Sequence, residues 1–305
     1  AAALITAFIP YRWLKNQGAW YLLLAFLLLV LVLLIGKEVN GSKRWLNLGL
    51  FNLQTSEIAK ICFSLYLASY LNRHLEEVRS TFNGFIKPLL LVLLYGALLI
   101  VQPDYGSLVV MLAAVMGMVF LAGARFSHFF LILTLALVGL GFIAVLEPYR
   151  LVRITSFTNP WAYQFDSGYQ LTQALIAYGR GDWLGLGLGN SIQKLSYLPE
   201  AHTDFIFSIT LGLFALLISR IFIIGRKNEQ EENFFAAYLC YAFGFIFATQ
   251  LLVNLGVNTG LLPTKGLTLP LISYGGSSLL ASGIMLGLVL RADIELRKEK
   301  PTSNK

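Results

Sequence analysis

Residues 19–35 read AWYLLLAFLLLVLVLLI, an apolar stretch without a charged residue. A helix of this length can cross the hydrocarbon core of a bilayer, which is about 30 Å thick. Comparable stretches recur along the chain at about 54–71, 85–101, 106–123, 127–146, 205–225, 234–257 and 268–290. We therefore predict an all-α fold, a polytopic transmembrane helical bundle that forms one integral membrane domain over 1–305.

The composition supports a membrane protein and argues against other classes. Of 305 residues, 57% are hydrophobic and only 13% charged, whereas soluble domains are about 25% charged. Cys62 and Cys240 both fall within predicted spans, so they offer neither a disulfide framework nor metal-ligand spacing. The net charge of +7 comes without a nucleic-acid-binding motif, and we expect no nucleic acid partner.

The basic residues define an orientation. Of the 23 Lys and Arg residues, fourteen fall on one side of the predicted membrane and eight on the other, and Lys60 lies within a span. Since cytoplasmic loops are enriched in Lys and Arg, the C-terminus is predicted to be cytoplasmic. The long segment 147–204 then forms a large, structured extracytoplasmic loop.

Within that loop, apolar residues at helical spacing predict a short amphipathic helix over 167–178. Gly185, Gly187 and Gly189 do not have the GxGxxG spacing of a nucleotide site, and tight turns explain them better.

The loop ends in YLPEAHTDFIF at 197–207, where Glu200, His202 and Asp204 precede the next apolar run. A carboxylate at the first turn of a membrane helix lies where water meets hydrocarbon, at the depth of a lipid-linked head group. Alternatively, Asp204 caps the helix N-terminus, since a carboxylate accepts hydrogen bonds from its free N–H groups.

Three further charged residues lie in or against the membrane. Glu57 and Lys60 are three residues apart, so they share a helix face and can pair. They form either a local ion pair or the lining of a polar cavity, because buried charges usually face a cavity or a partner. Asp104 follows Pro103 in a tight turn, where it caps the following helix.

Lys265 lies in LLPTKGLTLPLISYGGSS at 261–278, between Pro263 and Pro270. Broken segments at membrane depth are tolerated where they line protein or water. Lys265 either snorkels to the interface or binds an anion.

Seven motifs together resemble the SEDS family (shape, elongation, division and sporulation proteins), and they cover nearly the whole chain. They are NGSKRWLNLG at 40–49, QTSEIAK at 54–60, QPDYGS at 102–107, FTNPW at 157–161, SGYQLTQALIAYGRG at 167–181, GLGLGNSIQKLSYLPEAHTDFIF at 185–207 and PTKGLTLPLISYGGSS at 263–278. The QKLSYLPEAHTDFIF version resembles the division-type members more than the elongation-type members.

The resemblance implies about ten spans and an inverting peptidoglycan glycosyltransferase that polymerises lipid II at the outer face of the cytoplasmic membrane. In the implied reaction, the acceptor GlcNAc 4-hydroxyl attacks C1 of the donor MurNAc, and undecaprenyl pyrophosphate leaves. Such a displacement needs a general base and stabilisation of the departing pyrophosphate.

The family motifs imply a role for each matching residue. Asp204 matches the essential aspartate and is assigned the base, and Glu200 tunes it or helps to hold a divalent cation. The other substrate-binding candidates are Arg153 and Lys265 for the pyrophosphate, Lys60 and Glu57 in a polar cavity, and Ser273 and His202 within the motifs.

A divalent cation, Mg²⁺ or Mn²⁺ held by Asp204 and Glu200, is the only cofactor expected, and no organic cofactor is. The implied partners are a class B penicillin-binding transpeptidase and further single-span division proteins at the septum of a bacterial inner membrane.

Two features depart from the family. The chain shows eight spans and an apolar stub at 1–9, and no GEEL-like acidic segment follows HTDFIF. We expect that a first span and the acidic segment are missing from this sequence rather than lost naturally from the protein. Two other functions compete: a lipid II flippase, for which Glu57, Lys60 and Arg44 would form a polar path, and a non-catalytic division scaffold. The clustering of motifs in the exterior loop favours the polymerase.

Overall fold

The computed structural model describes most of the chain. The described residues are 1–39, 42–47, 49, 52–146, 159–163, 165, 169, 171–173, 175–176, 208–262, 269–273 and 275–299.

The described residues are mainly helical. The helices, numbered in chain order, are α1 (Ala2–Ala7), α2 (Tyr11–Lys15), α3 (Gly18–Ile35), α4 (Thr55–Arg73), α5 (Leu75–Ser80), α6 (Phe82–Val101), α7 (Tyr105–Leu121), α8 (Phe126–Leu146), α9 (Ser208–Gln230), α10 (Phe234–Asn258) and α11 (Gly276–Glu299), with a 3₁₀ turn at Pro160–Tyr163. Within the described residues, three stretches are long and apolar enough to cross a membrane by themselves: Gly18–Ile35, Phe82–Val101 and Phe234–Val257. The architecture is the predicted multi-pass bundle.

Each predicted span corresponds to one long helix. The bounds of the last span differ most from those of its helix. It was predicted at 268–290, whereas α11 begins at Gly276 and ends at Glu299. Pro270 lies in a turn, as expected for a residue that lacks an N–H and clashes in a helix interior. Ser273 Oγ closes this turn by accepting the Leu269 N–H at 2.8 Å.

The connection between α3 and α4 contains a small antiparallel sheet that the sequence analysis did not predict. Its strands, in spatial order, are β1 (Lys37–Val39), β2 (Ser42–Asn47) and β3 (Asn52–Gln54). Trp45 pairs with Gln54, and Leu46, which is buried, pairs with Leu53. The outer strands have three residues each, too few for alternation to be recognised.

The described residues divide into two compact units. The first comprises Ala1–Phe130, Leu217–Thr249 and Gly275–Lys305, and the second comprises Leu131–Leu216 and Gln250–Tyr274. In the second unit, every described residue between 169 and 176 is helical, and Leu171 is buried. This agrees with the amphipathic helix predicted over 167–178.

In the first unit, α4 is buried along most of its length, and α1 packs against α11. A Cβ on Gly287 of α11 would overlap Thr6 Oγ1 and the Ala3 carbonyl, so glycine is what lets the two helices approach. Thr6 Oγ1 also donates a hydrogen bond to the Ile284 carbonyl at 3.3 Å.

A second set of contacts ties α2 to α11. The Tyr11 N–H donates to Glu295 Oε1 at 3.1 Å, and the Tyr11 hydroxyl donates to the Leu288 carbonyl at 2.5 Å. Arg291 pairs with the same Glu295 carboxylate at 2.6 Å. Burial raises the pKa of the Tyr11 phenol well above its usual value, so the hydroxyl remains a hydrogen-bond donor.

We predict that Gly287→Ala lowers the thermal midpoint of the purified protein, because the added methyl group forces α1 away from α11. Overpacking of this kind costs about 1–3 kcal/mol. Gly212→Ala is the matched control, since its Cβ would meet no atom within 4 Å. Alanine in a helix is favoured over glycine by roughly 0.5–1 kcal/mol, so the control should keep or raise the midpoint. Equal midpoints for the two variants would contradict the close contact.

Candidate functional site

The candidate site begins with an ion pair inside the helical bundle. Lys60 Nζ lies 2.8 Å from Glu57 Oε1, and the two side chains are 0% and 4% exposed. Glu57 occupies the first turn of α4, where the helix dipole favours a negative charge. Of the two interpretations that the sequence left open, the ion pair is observed.

Such a pair is costly to place in a membrane protein. Desolvation of two charges often exceeds their mutual attraction, and apolar residues of similar volume would serve stability as well or better. Ionisable groups within membrane bundles usually mark functional pathways. The pair therefore points to a function beyond holding α4 in place.

A third charged residue, Asp104, lies close to the start of α4. It is 4% exposed and is the N-cap of α7. Its carboxylate accepts hydrogen bonds from the Ser107 N–H at 3.4 Å and from the Ser107 hydroxyl at 2.8 Å. Ser107 Oγ in turn lies 3.3 Å from Ser56 Oγ. The predicted capping role of Asp104 is confirmed, and the serines connect it to α4.

The small sheet and its neighbours surround this cluster. Arg44 on β2 donates from Nε to the Gln102 carbonyl at 3.2 Å and from a terminal nitrogen to the Pro103 carbonyl. A cation at the C-terminal end of α6 complements the helix dipole. Gln102 Nε2 donates to the Leu29 carbonyl at 2.9 Å, which joins α6 to α3.

The start of α11 is tied to the same region. Ser277 Oγ accepts the Gln54 N–H at 3.0 Å and donates to the Asn52 carbonyl at 2.9 Å. The first turns of α4, α7 and α11 and the strand β3 are therefore held in one polar network.

Several buried polar atoms near the charged groups have no hydrogen-bond partner among the described residues. They are Thr55 Oγ1, Tyr95 OH and Gln102 Oε1. Buried polar groups in native proteins are nearly always satisfied, so water or a polar ligand is the expected partner. The wholly buried Tyr95 and the serines were missed by the sequence analysis, although a lone tyrosine in an apolar span is a usable signal.

Of the other predicted site residues, the structure describes only Ser273. Ser273 closes the turn at Leu269 and belongs to the second unit. Asp204, Glu200, His202, Arg153 and Lys265 lie outside the described residues. Across the described residues, no group of three or more His, Cys, Asp or Glu side chains is arranged to hold a metal ion. The predicted cation ligands, Asp204 and Glu200, are not among the described residues, so this search does not test them.

Nearly the whole sequence matches one family model. The family model of the FtsW, RodA and SpoVE proteins, described as a cell cycle protein, matches residues 1–298. The chain belongs to this family of integral membrane proteins.

Two relatives indicate which members of the family this chain resembles. The chain is 52% identical over 312 residues to a protein of Halomonas elongata named probable peptidoglycan glycosyltransferase FtsW, covering 98% of this chain and 79% of the relative. A protein of the same name from Coxiella burnetii is 49% identical, with 96% and 82% coverage.

Solved structures share the fold. One is a chain from a structure titled for the coordination of polymerization and crosslinking by a peptidoglycan synthase complex, with TM-score 0.79 and 31% identity over 97% of this chain and 86% of that chain. Another is the rod shape determining protein RodA of Thermus thermophilus, with TM-score 0.68 and 30% identity over 98% and 84%.

We predict that Lys60→Met strongly lowers the thermal midpoint, because it leaves the Glu57 carboxylate buried without its cation. Removing one partner of a buried pair costs about 3–5 kcal/mol. The double variant Glu57→Gln with Lys60→Met should recover much of this loss, and a double-mutant cycle measures the coupling.

The matched control is the half-exposed pair of Glu77 and Lys87, 3.8 Å apart. Surface pairs are worth about 0–1 kcal/mol, so Glu77→Gln with Lys87→Met should show little coupling. Equal coupling in both pairs would mean that Glu57 and Lys60 are solvated.

Proposed function

We propose that the chain polymerises lipid II into β-1,4-linked glycan strands at the outer face of the cytoplasmic membrane during septal wall synthesis. The enzyme class follows from the relatives, which are named probable peptidoglycan glycosyltransferase FtsW. Lipid II as substrate and the details of the mechanism are our inference.

The observation that carries the proposal is the buried cluster of Glu57, Lys60 and Asp104 where α4 and α7 begin. In the orientation that we propose from the basic residues, the predicted spans at 54–71, 106–123 and 205–225 all begin on the outer side of the membrane. Asp204 precedes α9 by only a few residues. A polar cluster on the side that carries the predicted base suits a substrate with a sugar and pyrophosphate head group and a lipid tail.

In the proposed reaction, the acceptor GlcNAc 4-hydroxyl attacks C1 of the donor MurNAc, and the bond from C1 to the pyrophosphate oxygen breaks. Asp204 accepts the hydroxyl proton as general base. The electron pair of the broken bond leaves with undecaprenyl pyrophosphate. A single displacement inverts the anomeric centre, so an α-linked donor gives a β-1,4 bond.

Fixed cations are the natural partners of the departing pyrophosphate. We assign this role to Arg153 and Lys265. Glu200 and Asp204 would hold a divalent cation, Mg²⁺ or Mn²⁺, if one takes part. Glu57 and Lys60 contribute the inner polar wall, with His202 and Ser273 as further substrate contacts.

We propose the orientation given by the basic residues, with the C-terminus of the chain in the cytoplasm and 147–204 outside. The structural relative from a peptidoglycan synthase complex that coordinates polymerization and crosslinking supports a crosslinking partner. We propose that this partner is a class B penicillin-binding transpeptidase of the FtsI type, joined by single-span division proteins.

We predict that Asp204→Asn abolishes glycan strand formation from lipid II by the purified protein with its transpeptidase partner. The amide has nearly the same shape but cannot accept the proton, and loss of a general base costs about 10²–10⁴-fold in rate. The measurement is the length distribution of polymer on a gel.

Asp293→Asn is the control, because Asp293 forms an ion pair with Arg297 near the far end of α11. This variant should polymerise normally. If Asp204→Asn makes polymer at the wild-type rate, Asp204 is not the general base, and helix capping is the remaining explanation for it. If the wild-type complex makes no polymer but moves lipid II between leaflets, the flippase alternative would replace the proposal.

A further inference from the structure

Helix α6 contains a buried proline in its interior. Pro88 lies beyond the first turn of this helix, which runs from Phe82 to Val101. Proline has no N–H, so the carbonyl of Gly84, four residues earlier, receives no hydrogen bond from within the helix at this point. The proline ring also crowds that carbonyl, and the helix bends there. Since Gly84 is buried, its carbonyl needs a donor from elsewhere in the protein.

A neighbouring helix supplies this donor. The Tyr70 hydroxyl on α4 donates to the Gly84 carbonyl at 2.9 Å, and the contact is buried. The ring of His74 stacks on the ring of Tyr70, with centroids 4.7 Å apart and an angle of 16° between the planes. This stacking limits the orientations that the phenol can adopt. Tyr70 therefore makes the hydrogen bond that Pro88 cannot make.

The first turn of α6 is also attached to α5. Thr81 Oγ1 accepts the Gly84 N–H at 3.1 Å and donates to the Glu77 carbonyl at 2.8 Å. A Cβ on Gly84 would lie 2.4 Å from the Glu77 carbonyl oxygen, so the backbone of α5 lies directly against this glycine. The segment of α6 before Pro88 is thus held by both α4 and α5.

The segment of α6 after Pro88 leads to the buried charged cluster. Tyr95 on this segment is wholly buried, and its ring centroid lies 5.1 Å from that of Phe63 on α4. Near the end of the helix, the Leu99 carbonyl accepts the Asp104 N–H at 2.8 Å. The position of Asp104 therefore depends on the direction that α6 takes after Pro88.

We propose that Tyr70, Gly84 and Pro88 form a fixed bend in α6 that positions Asp104 in the buried charged cluster. Pro88 produces the bend, and the Tyr70 hydroxyl holds it. Tyr70 lies near the end of α4, about 20 Å along the helix axis from the charged pair in the first turns. Tyr70 and Pro88 are therefore positioning residues, which act on the cluster through α6. Their effect on glycan synthesis rests on the function proposed above.

A straight span would not need this arrangement. Proline is the least favourable residue in a helix interior, and alanine at position 88 would restore the N–H without any help from α4. The chain instead combines the proline with a buried hydroxyl aimed at the one carbonyl that the proline leaves without a donor. This combination favours a bend that serves the site.

The first test is a double-mutant cycle on the thermal midpoint of the purified full chain. Tyr70→Phe leaves the Gly84 carbonyl buried without a donor and should lower the midpoint by roughly 2–6 °C. Pro88→Ala should keep or raise the midpoint. In the Pro88→Ala background, Tyr70→Phe should cost little, because the new N–H at position 88 serves the same carbonyl. Equal losses in the two backgrounds would overturn the proposal.

The second test measures positioning without relying on activity. Hydrogen exchange of the backbone amides at 98–107, followed by mass spectrometry, should be faster in Tyr70→Phe and in Pro88→Ala than in the wild type. Each change alters the direction of α6 and loosens the contact between Leu99 and Asp104. Exchange at the wild-type rate in both variants would show that the bend does not position Asp104.

The third test is glycan strand formation from lipid II with the transpeptidase partner. Both single variants should lower the rate roughly ten- to a hundredfold, the loss expected when a site is displaced by about 1 Å. The double variant should recover the midpoint but not the rate. Recovery of both would mean a role in stability alone and overturn positioning. If the wild type makes no polymer, the proposed function fails, while the midpoint and exchange measurements still decide on the bend.

The matched control is Tyr66→Phe, one turn earlier on α4, where the tyrosine side chain is only half-buried. This variant should keep the midpoint, the exchange rates and the polymer yield close to those of the wild type. Losses equal to those of Tyr70→Phe would show that α4 tolerates no lost hydroxyl, and would remove the special role of Tyr70.

Discussion

Hydrocarbon cannot solvate a carboxylate or an ammonium group, so Glu57 and Lys60 depend on each other for their charges. Their 2.8 Å contact places a buried charged pair on α4, and the neighbouring helices supply further polar side chains near it. Glu57 lies in the first turn, where the helix dipole stabilises a negative charge. Its chain neighbour Ser56 lies 3.3 Å from Ser107 Oγ, which donates a hydrogen bond to Asp104. The network around Asp104 lies at the first turn of α4, and Ser64 and Ser69 are further buried polar residues along the same helix.

The small sheet shows how non-helical backbone is hydrogen-bonded near the Glu57–Lys60 pair. Non-helical segments at membrane depth need partners from protein or water. Arg44 on β2 supplies donors to the carbonyls at the end of α6, and Ser277 joins β3 to the start of α11. The sheet therefore connects the end of α6 with the start of α11, two helices that are distant in sequence.

The sequence predicted the spans because hydropathy over one helix length is a strong, local signal. It also predicted the cap at Asp104 and offered the pairing of Glu57 with Lys60 as one of two interpretations, since both depend on spacings of three residues. It missed the sheet, whose outer strands are too short to show a period. It placed the start of the last span too early, because the apolar run through Leu269 and Leu271 hides the turn at Pro270. The roles of Asp204 and Lys265 depend on contacts distant in sequence and remain proposals.

The contacts between α11 and the segment that includes α1 and α2 bear on biosynthesis. Thr6 and Tyr11 leave the ribosome long before Ile284, Leu288 and Glu295, which accept their hydrogen bonds. Until α11 has been inserted, the Tyr11 phenol lacks the Leu288 carbonyl, whereas the Thr6 hydroxyl keeps the Ala2 carbonyl of its own helix at 3.0 Å. The contacts of α1 and α2 with α11 therefore form only after almost the whole chain has been made, and the faces of α1 and α2 that pack on α11 wait uncovered until then.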